Sequence, residues 1–405
     1  MDLEIIYLIP RLSINQEGAI IGGSANNAIT LAKEIHRQGI NIKLIAPVSS
    51  DMKSYVHDYL SPLPVDIIPI DQKGFVFRGL FAIFSLRKAA KLESAKRPAL
   101  VVHSHSGTFP YAFTALGARS SCIRLHSLYC PFKGKGGAYS NWWESKMIAA
   151  LMFSKLDRTI VVSQNIENSL ISSGVAKKDQ TLNIPMSVDT SRFNPEVYSK
   201  SDSYYAPETK GSRILFVGNS SEEKGLYQLI EALHLLKKDK VKVSLIATIE
   251  NMAHVGKYRP NYERIQGKIK ASGLTEDVDF LGIVGCIEKL YSEADIVVIP
   301  WNSTRGPSDI PLVALEAMSM GKCVICSPLE GIKNVITNNE SGLITEDFSS
   351  KAVAQALQRL LSDPDLREKL SKNALRDIQK FSVEAIATRM IETYKSLLNS
   401  KQKTN

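Results

Sequence analysis

No run of the 405 residues stays apolar over the roughly 18 positions that a membrane-crossing helix needs. The first residues pass from Met1-Asp2 into a short apolar run at 5–9 ended by Pro10, with no basic leader and no small-residue cleavage site. Both absences predict a cytoplasmic protein. Cysteine is scarce as well: five residues, an odd number at irregular spacing, make no disulfide framework and fit a reducing compartment. Cys323 and Cys326 have C-x-x-C spacing, but they stand in an apolar run, CVIC, that reads as an interior strand, where cysteine behaves as a small hydrophobe. Cys122, Cys130 and Cys286 lack metal-ligand partners at useful spacing, so no metal is expected. The turn at Gly22-Gly23 holds no G-x-G-x-x-G, which argues against a dinucleotide oxidoreductase.

What is present is enough for two domains, each with its own core, at 44% hydrophobic content. The charge is uneven. Residues 1–190 hold 21 Lys and Arg against 14 Asp and Glu, whereas the rest hold 29 against 27. The basic first half suits an anionic partner, either a membrane face or a phosphate-bearing substrate, or simply a solvated surface. No nucleic acid is implied.

Apolar strand-like runs alternate with amphipathic helical stretches through the first half, the pattern of a parallel sheet covered by helices, hence an α/β class. Strands are expected at 5–9, 40–47, 100–105, 122–126 and 156–163, with helices at 24–38 and 165–173. Residues 75–92, FVFRGLFAIFSLRKAAKL, mix aromatics with basic residues and read either as an interfacial membrane helix or as a helix packed on the sheet. Trp142-Trp143 and the apolar run 147–153 carry the same two readings. Residues 189–209, polar with two prolines and no periodicity, are the expected linker. The α/β pattern then restarts, which implies a second unit and a cleft between the two. Three periodic helices close the chain at 351–362, 364–381 and 382–399, and the tail from Ser400 is expected to be disordered.

Within the second half, residues 294–327 read as strand, Gly/Ser/Pro loop, helix and strand. Ser308 or Asp309 is expected to cap the helix, with Pro311 at a position where a missing N–H costs nothing. Free amides and the positive end of the helix dipole make a seat for a phosphate at Ile310, Pro311 and Leu312, and Glu316 follows on the same helix.

These motifs, in this order, resemble the GT-B nucleotide-sugar glycosyltransferases, in particular the retaining family numbered 4. The resemblance rests most strongly on PLVALEAMSMGKCVICSPLEGIKNVITNNESGLI (311–344), with support from GGSANNAITLAKEIHRQGINI (22–42), VVHSHS (101–106), IVVSQNIENSLISSGV (160–175), NIPMSVDTSRF (183–193), FVGNSSEEKGL (216–226) and DFLGIV (279–284). It implies two Rossmann-like domains facing each other across a cleft. The N-terminal domain, 1–190, would be completed by a last helix, 383–400, that crosses back, and 208–382 would bind the donor.

The resemblance assigns roles residue by residue. Glu316 would hold the nucleotide ribose, Lys224 the diphosphate, and His126, at the end of the strand CIRLH, the donor sugar. Ile283 and Val284 would hold the base, and Gly22 and Gly23 would let the donor phosphate approach. Two positions depart from the pattern: Ser308 stands where a sugar-contacting glutamate is implied, and Asn219 where a phosphate-binding arginine is implied. Asp309 either substitutes for that glutamate or only caps the helix. Arg305 either replaces the missing cation or is an ordinary surface residue. His103 and His105 have a His-x-His counterpart in the family that binds no metal. The one Asp-x-Asp match, Asp277-Val278-Asp279, falls at a strand start that the resemblance already explains.

The implied activity is retaining transfer of a sugar from a nucleoside diphosphate sugar to a glycan, lipid-linked or small-molecule acceptor, without metal or other cofactor. The protein would be cytoplasmic, with peripheral contact to an anionic membrane. The alternatives are a degenerate member that binds nucleotide or a protein partner without turnover, and a sugar-nucleotide epimerase on the same fold.

Overall fold

The computed structural model describes residues 3–10, 12, 22–70, 75–97, 100–132, 146–198, 211–249, 258–302 and 309–404. The chain divides into two compact units: Met1–Ser187 with Gly306–Ile310 and Phe381–Asn405, and Val188–Arg305 with Pro311–Lys380.

Unit 1 runs β1 (Glu4–Leu8), α1 (Gly23–Arg37), β2 (Asn41–Val48), α2 (Lys53–Leu60), β3 (Val65–Pro69), α3 (Phe75–Lys96), β4 (Leu100–Ser106), α4 (Ala112–Ala115), β5 (Ile123–Leu128), α5 (Lys146–Phe153), β6 (Arg158–Val161), α6 (Gln164–Ser172) and β7 (Thr181–Asn183). Its strands form one parallel seven-stranded sheet in the order β3-β2-β1-β4-β5-β6-β7. A parallel sheet covered on both faces needs apolar residues on both, and β1 (EIIYL) and the first half of β4 (LVV) supply them.

Unit 2 runs β8 (Ser212–Val217), α7 (Leu226–Lys238), β9 (Val243–Thr248), α8 (Arg259–Ala271), β10 (Val278–Leu281), α9 (Ile287–Glu293), β11 (Ile296–Ile299), α10 (Leu312–Ser319), β12 (Cys323–Cys326), β13 (Leu343–Ile344), α11 (Ser350–Ser362) and α12 (Pro364–Ile378). Its parallel sheet is ordered β10-β9-β8-β11-β12-β13. The expected interior strand CVIC is β12, fully buried, and its two cysteines are free thiols.

The last helix, α13 (Val383–Thr404), belongs to unit 1. It places Ile386, Ala387, Met390 and Tyr394 in the core with β1 and α1. The expected disordered tail is corrected here: α13 continues through Ser400 to Thr404. Lys401 explains the extension, because its Nζ donates to Asp157 Oδ1 at 2.6 Å and to the Cys122 carbonyl at 2.8 Å. The expected linker also differs in part. Phe193 is buried in unit 2 against the ring of Tyr291, and Ser319 Oγ donates to the Phe193 carbonyl at 2.6 Å.

Among the described residues no helix is long and apolar enough to cross a membrane. Helix α3 buries Ala82, Leu86 and Ala90 at helical spacing, while Phe84 is 60% exposed. Helix α5 buries Ala149 and Phe153 and leaves Met147 and Leu151 78% and 57% exposed. Trp142 and Trp143 lie outside the described residues.

Candidate active site

In unit 2 the chain order reverses between the neighbours β8 and β11, the switch point at whose carboxyl end open α/β sheets bind ligands. Strand β8 leaves into a loop and a short 3-10 turn, Glu222–Lys224, while β11 leaves through Pro300, Trp301 and Asn302. The two exits are tied together. The Asn302 amide N–H donates to the Glu223 carbonyl at 3.1 Å, and Asn302 Nδ2 donates to the Glu222 carbonyl at 2.9 Å. Gly225 ends the turn at φ 70°, and a Cβ there would lie 1.7 Å from the Pro300 carbonyl oxygen, so only glycine fits.

Lys224 Nζ lies 3.2 Å from the ring centre of Trp301, which is 4% exposed. Asn219 has a local job. Its Oδ1 accepts the Ser221 N–H at 3.0 Å, an Asx turn that shapes the loop in front of Lys224.

Glu316 stands on α10, the helix that follows β11. Its Oε2 accepts a hydrogen bond from the Tyr291 hydroxyl at 2.8 Å. Burial raises the Glu316 carboxyl above the usual carboxylate range; Tyr291 and Arg192 pull it down and Glu288 pushes it up. Burial also pushes the Tyr291 phenol well up, so that side chain remains a donor at working pH. Beneath this pair Arg192 Nε donates to Glu288 Oε1 at 2.5 Å. Ile283 and Val284 sit half-buried on the loop after β10.

The expected helix cap is corrected. Helix α10 begins at Leu312 with Pro311 as its N-cap and no side-chain cap, so Asp309 does not cap it. Proline has no side-chain acceptor, so the Leu312 and Val313 amides have no side-chain cap, while the Ala314 N–H donates to the Pro311 carbonyl at 3.0 Å. Ile310 and Pro311 are buried and Leu312 is half-buried. Asp309 is fully buried in unit 1 instead. Its Oδ2 accepts from Ser163 Oγ at 2.5 Å, its Oδ1 from Asn165 Nδ2 at 2.9 Å, and its N–H donates to the Tyr129 carbonyl at 3.0 Å. Arg305 and Ser308 lie outside the described residues.

In unit 1 Gly22 is the N-cap of α1 at φ 113°, exposed, and a Cβ there would meet nothing within 4 Å; Gly23 is the first helical residue, also exposed. His126 departs from the expected open strand end. Strand β5 runs on to Leu128, the ring of Phe153 lies 6.3 Å away, and His126 is fully buried. Its Nδ1 pairs with Ser104 Oγ at 2.8 Å. The Ser104 hydroxyl also donates to the Leu125 carbonyl at 3.3 Å, and His126 Nε2 is buried with no hydrogen-bond partner among the described residues. Burial pulls the imidazole down to about 3, and it stays neutral at physiological pH.

On the other face of the sheet, His103 pairs with Tyr394 at 2.7 Å and Ser127 at 2.9 Å, and His105 pairs with Tyr129 at 3.0 Å. Among the described residues no three His, Cys, Asp or Glu side chains converge as metal ligands would.

Three partners escape a reading of the sequence: Trp301 under Lys224, Tyr291 on Glu316, and the Ser163–Asn165 pair around Asp309. Trp301 carries the one available signal, a large aromatic at the end of an apolar run where a sheet unit exposes its ligand loops.

Comparison with known proteins places these loops in a family. A family model described as Glycosyltransferase Family 4 matches residues 21–192, and one described as Glycosyl transferases group 1 matches 201–377, together most of the chain. An uncharacterised glycosyltransferase of Methanocaldococcus jannaschii is 26% identical over 389 residues, covering 93% of this chain and 95% of its own. Sucrose-phosphate synthase from Thermosynechococcus elongatus has a similar structure, with a TM-score of 0.77 at 21% identity over 98% of this chain and 100% of the other. Anabaena HepE in complex with UDP gives a TM-score of 0.74 at 16% identity over 97% and 100%.

Proposed function

This chain belongs to the GT-B glycosyltransferases that join a family 4 domain to a group 1 domain, and from that membership we propose retaining sugar transfer from a nucleoside diphosphate sugar, UDP- or GDP-linked. The acceptor is a glycan, a lipid-linked sugar or a small molecule. The observation that carries the donor class is the switch-point loop of unit 2, where Lys224 stands at the end of β8 and Glu316 on the helix after β11.

In this reading Lys224 and the uncapped amides of α10 receive the diphosphate, Glu316 the ribose hydroxyls, and Ile283 and Val284 the base. The family resemblance, in this reading, also gives Gly22, Gly23 and the neutral ring of His126 a part in holding the donor. The acceptor hydroxyl attacks the anomeric carbon on the face that the diphosphate leaves. The bond to the diphosphate oxygen breaks as the new glycosidic bond forms, and the acceptor proton passes to the departing phosphate. No protein nucleophile is needed, so the protein's part is orientation and charge stabilisation.

The second reading is a nucleotide binder without turnover. It is favoured by Asn219, whose side chain is spent on a turn where the family resemblance implies a cation. One experiment separates the two: incubation with UDP- and GDP-sugars and acceptor extracts, assayed for free nucleoside diphosphate. Release that vanishes in Lys224→Ala and Glu316→Ala supports the transferase. Binding without release under every condition supports the second reading.

The exposed Phe84, Met147 and Leu151, with exposed lysines 88, 91, 146 and 155 on or beside the same helices, fit peripheral contact with an anionic membrane. Flotation with anionic vesicles tests it. Absence of binding at low salt removes this part of the reading.

A further inference from the structure

We propose that Trp301 is the positioning residue for Lys224: its indole face is the bed that fixes the ammonium where the donor diphosphate docks. The inference rests on the reading of Lys224 as the diphosphate lysine, and it concerns a residue to which that reading gives no part. Lys224 Nζ lies 3.2 Å from the centre of the Trp301 ring, in cation–π contact. An exposed lysine on a four-carbon stem would have to be ordered each time a ligand arrives; one resting on an aromatic face is ordered beforehand.

The bed itself is fixed. Trp301 is buried, the next residue is tied by both its N–H and its side chain to the turn that carries Lys224, and the turn closes on Gly225 against the Pro300 carbonyl. Lysine and tryptophan therefore sit on two strand exits clasped at three points.

The choice of an aromatic partner has a chemical consequence. A carboxylate under the lysine would hold it equally well while cancelling part of its charge. The indole face attracts the cation through its quadrupole and adds no negative charge to the place where a diphosphate must come. That matters in a loop where Asn219 is neutral and engaged in a turn and where Glu222 and Glu223 already bring negative charge beside the lysine.

The test uses the full chain with UDP, GDP, UMP and GMP as probes. Trp301→Leu, which keeps bulk and removes the quadrupole, weakens binding of the preferred nucleoside diphosphate about tenfold and leaves its monophosphate within about twofold. Trp301→Phe recovers most of the loss. In a Lys224→Met background Trp301→Leu adds nothing further.

Unaltered diphosphate affinity in Trp301→Leu, or an equal loss in both lysine backgrounds, overturns the inference. If Lys224→Met binds diphosphate as well as the parent, or the parent binds none, it is the reading of Lys224 that fails, and this inference falls with it. A second measurement covers a variant that does not fold. With Trp142 and Trp143 changed to Phe, Trp301 is the single remaining tryptophan; diphosphate shifts its emission, and Lys224→Met abolishes the shift. Emission that responds identically without the lysine overturns the proposal.

Discussion

The Tyr291 hydroxyl donates to Glu316 Oε2 at 2.8 Å, so one oxygen of the carboxylate assigned to the ribose is already spoken for by the protein. The bond fixes the rotamer of Glu316 and turns the other oxygen into its principal free acceptor. It also keeps the carboxyl more acidic than burial alone would allow.

That balance sets a pH dependence. Glu316 titrates above the usual carboxylate range, and nucleotide affinity falls as pH drops through that raised value. Tyr291→Phe removes a lowering influence, so the acid limb of UDP or GDP binding moves to higher pH, as titration calorimetry from pH 4 to 8 will show. For stability the sign is opposite. A carboxyl with a raised folded pKa favours folding below its unfolded pKa and loses that contribution as pH rises through the folded value. Glu316→Gln therefore raises the melting temperature at pH 7 to 8 while weakening nucleotide binding, and the gain disappears near pH 4. A variant less stable than the parent at pH 8 contradicts this.

Three histidines of unit 1, at 103, 105 and 126, are buried and held neutral, chiefly by burial. Their folded pKa values lie below the unfolded value, so their contribution is complete above about pH 6.5 and is lost as pH falls toward the folded values. Each group adds about 1.4 kcal/mol per pH unit, and the three together about 4. Urea unfolding of unit 1, followed by proteolysis, should have a much lower midpoint at pH 5 than at pH 7. Equal midpoints would show that these rings protonate without cost.

Gly225→Ala combines a left-handed backbone with a Cβ driven into the Pro300 carbonyl. The conformation alone costs about 1–2 kcal/mol, and the clash forces the β8 and β11 exits apart. Nucleotide binding should collapse although Lys224, Trp301 and Glu316 are all intact. Calorimetry showing parental affinity would mean that the two exits need not be clasped.

The anchoring of α13 can be measured at its two ends. Tyr394 shares hydrogen bonds with Tyr7 at 2.8 Å and His103 at 2.7 Å, and Tyr394→Phe leaves both without it, at a cost of about 1–3 kcal/mol. Lys401→Ala removes a partly exposed pair with Asp157 and costs about 1 kcal/mol or less. Denaturant titration of both variants should rank them in that order; the reverse order would place the anchor at the end of the helix.

Much of the architecture was legible because parallel sheets announce themselves through apolar runs separated by helical periodicity, and CVIC was recognisable as an interior strand. Glu316 was legible for a similar reason, a lone carboxylate among apolar neighbours on a helix after a buried strand. The misreadings share a cause, which is that partners distant in sequence decide them. His126 reads as a strand-end residue until β5 is seen to run two residues further and Phe153 is found beside the ring. The tail from Ser400 reads as solvated charge until Lys401 meets an aspartate 244 positions earlier. Asp309 has every local attribute of a helix cap, yet Ser163 and Asn165 claim its oxygens.

The assignment of α13 to unit 1 bears on how the protein is made. Tyr7 and His103 emerge from the ribosome long before Tyr394, their shared partner, which follows all of unit 2 in the chain. Unit 2 has its whole chain available before α13 exists, whereas the seven-stranded sheet of unit 1 must wait with the apolar groove for that helix unfilled. During translation the groove is a binding surface for chaperones and a hazard for aggregation. Unit 1, whose strands are made before unit 2, closes only after unit 2 has been made.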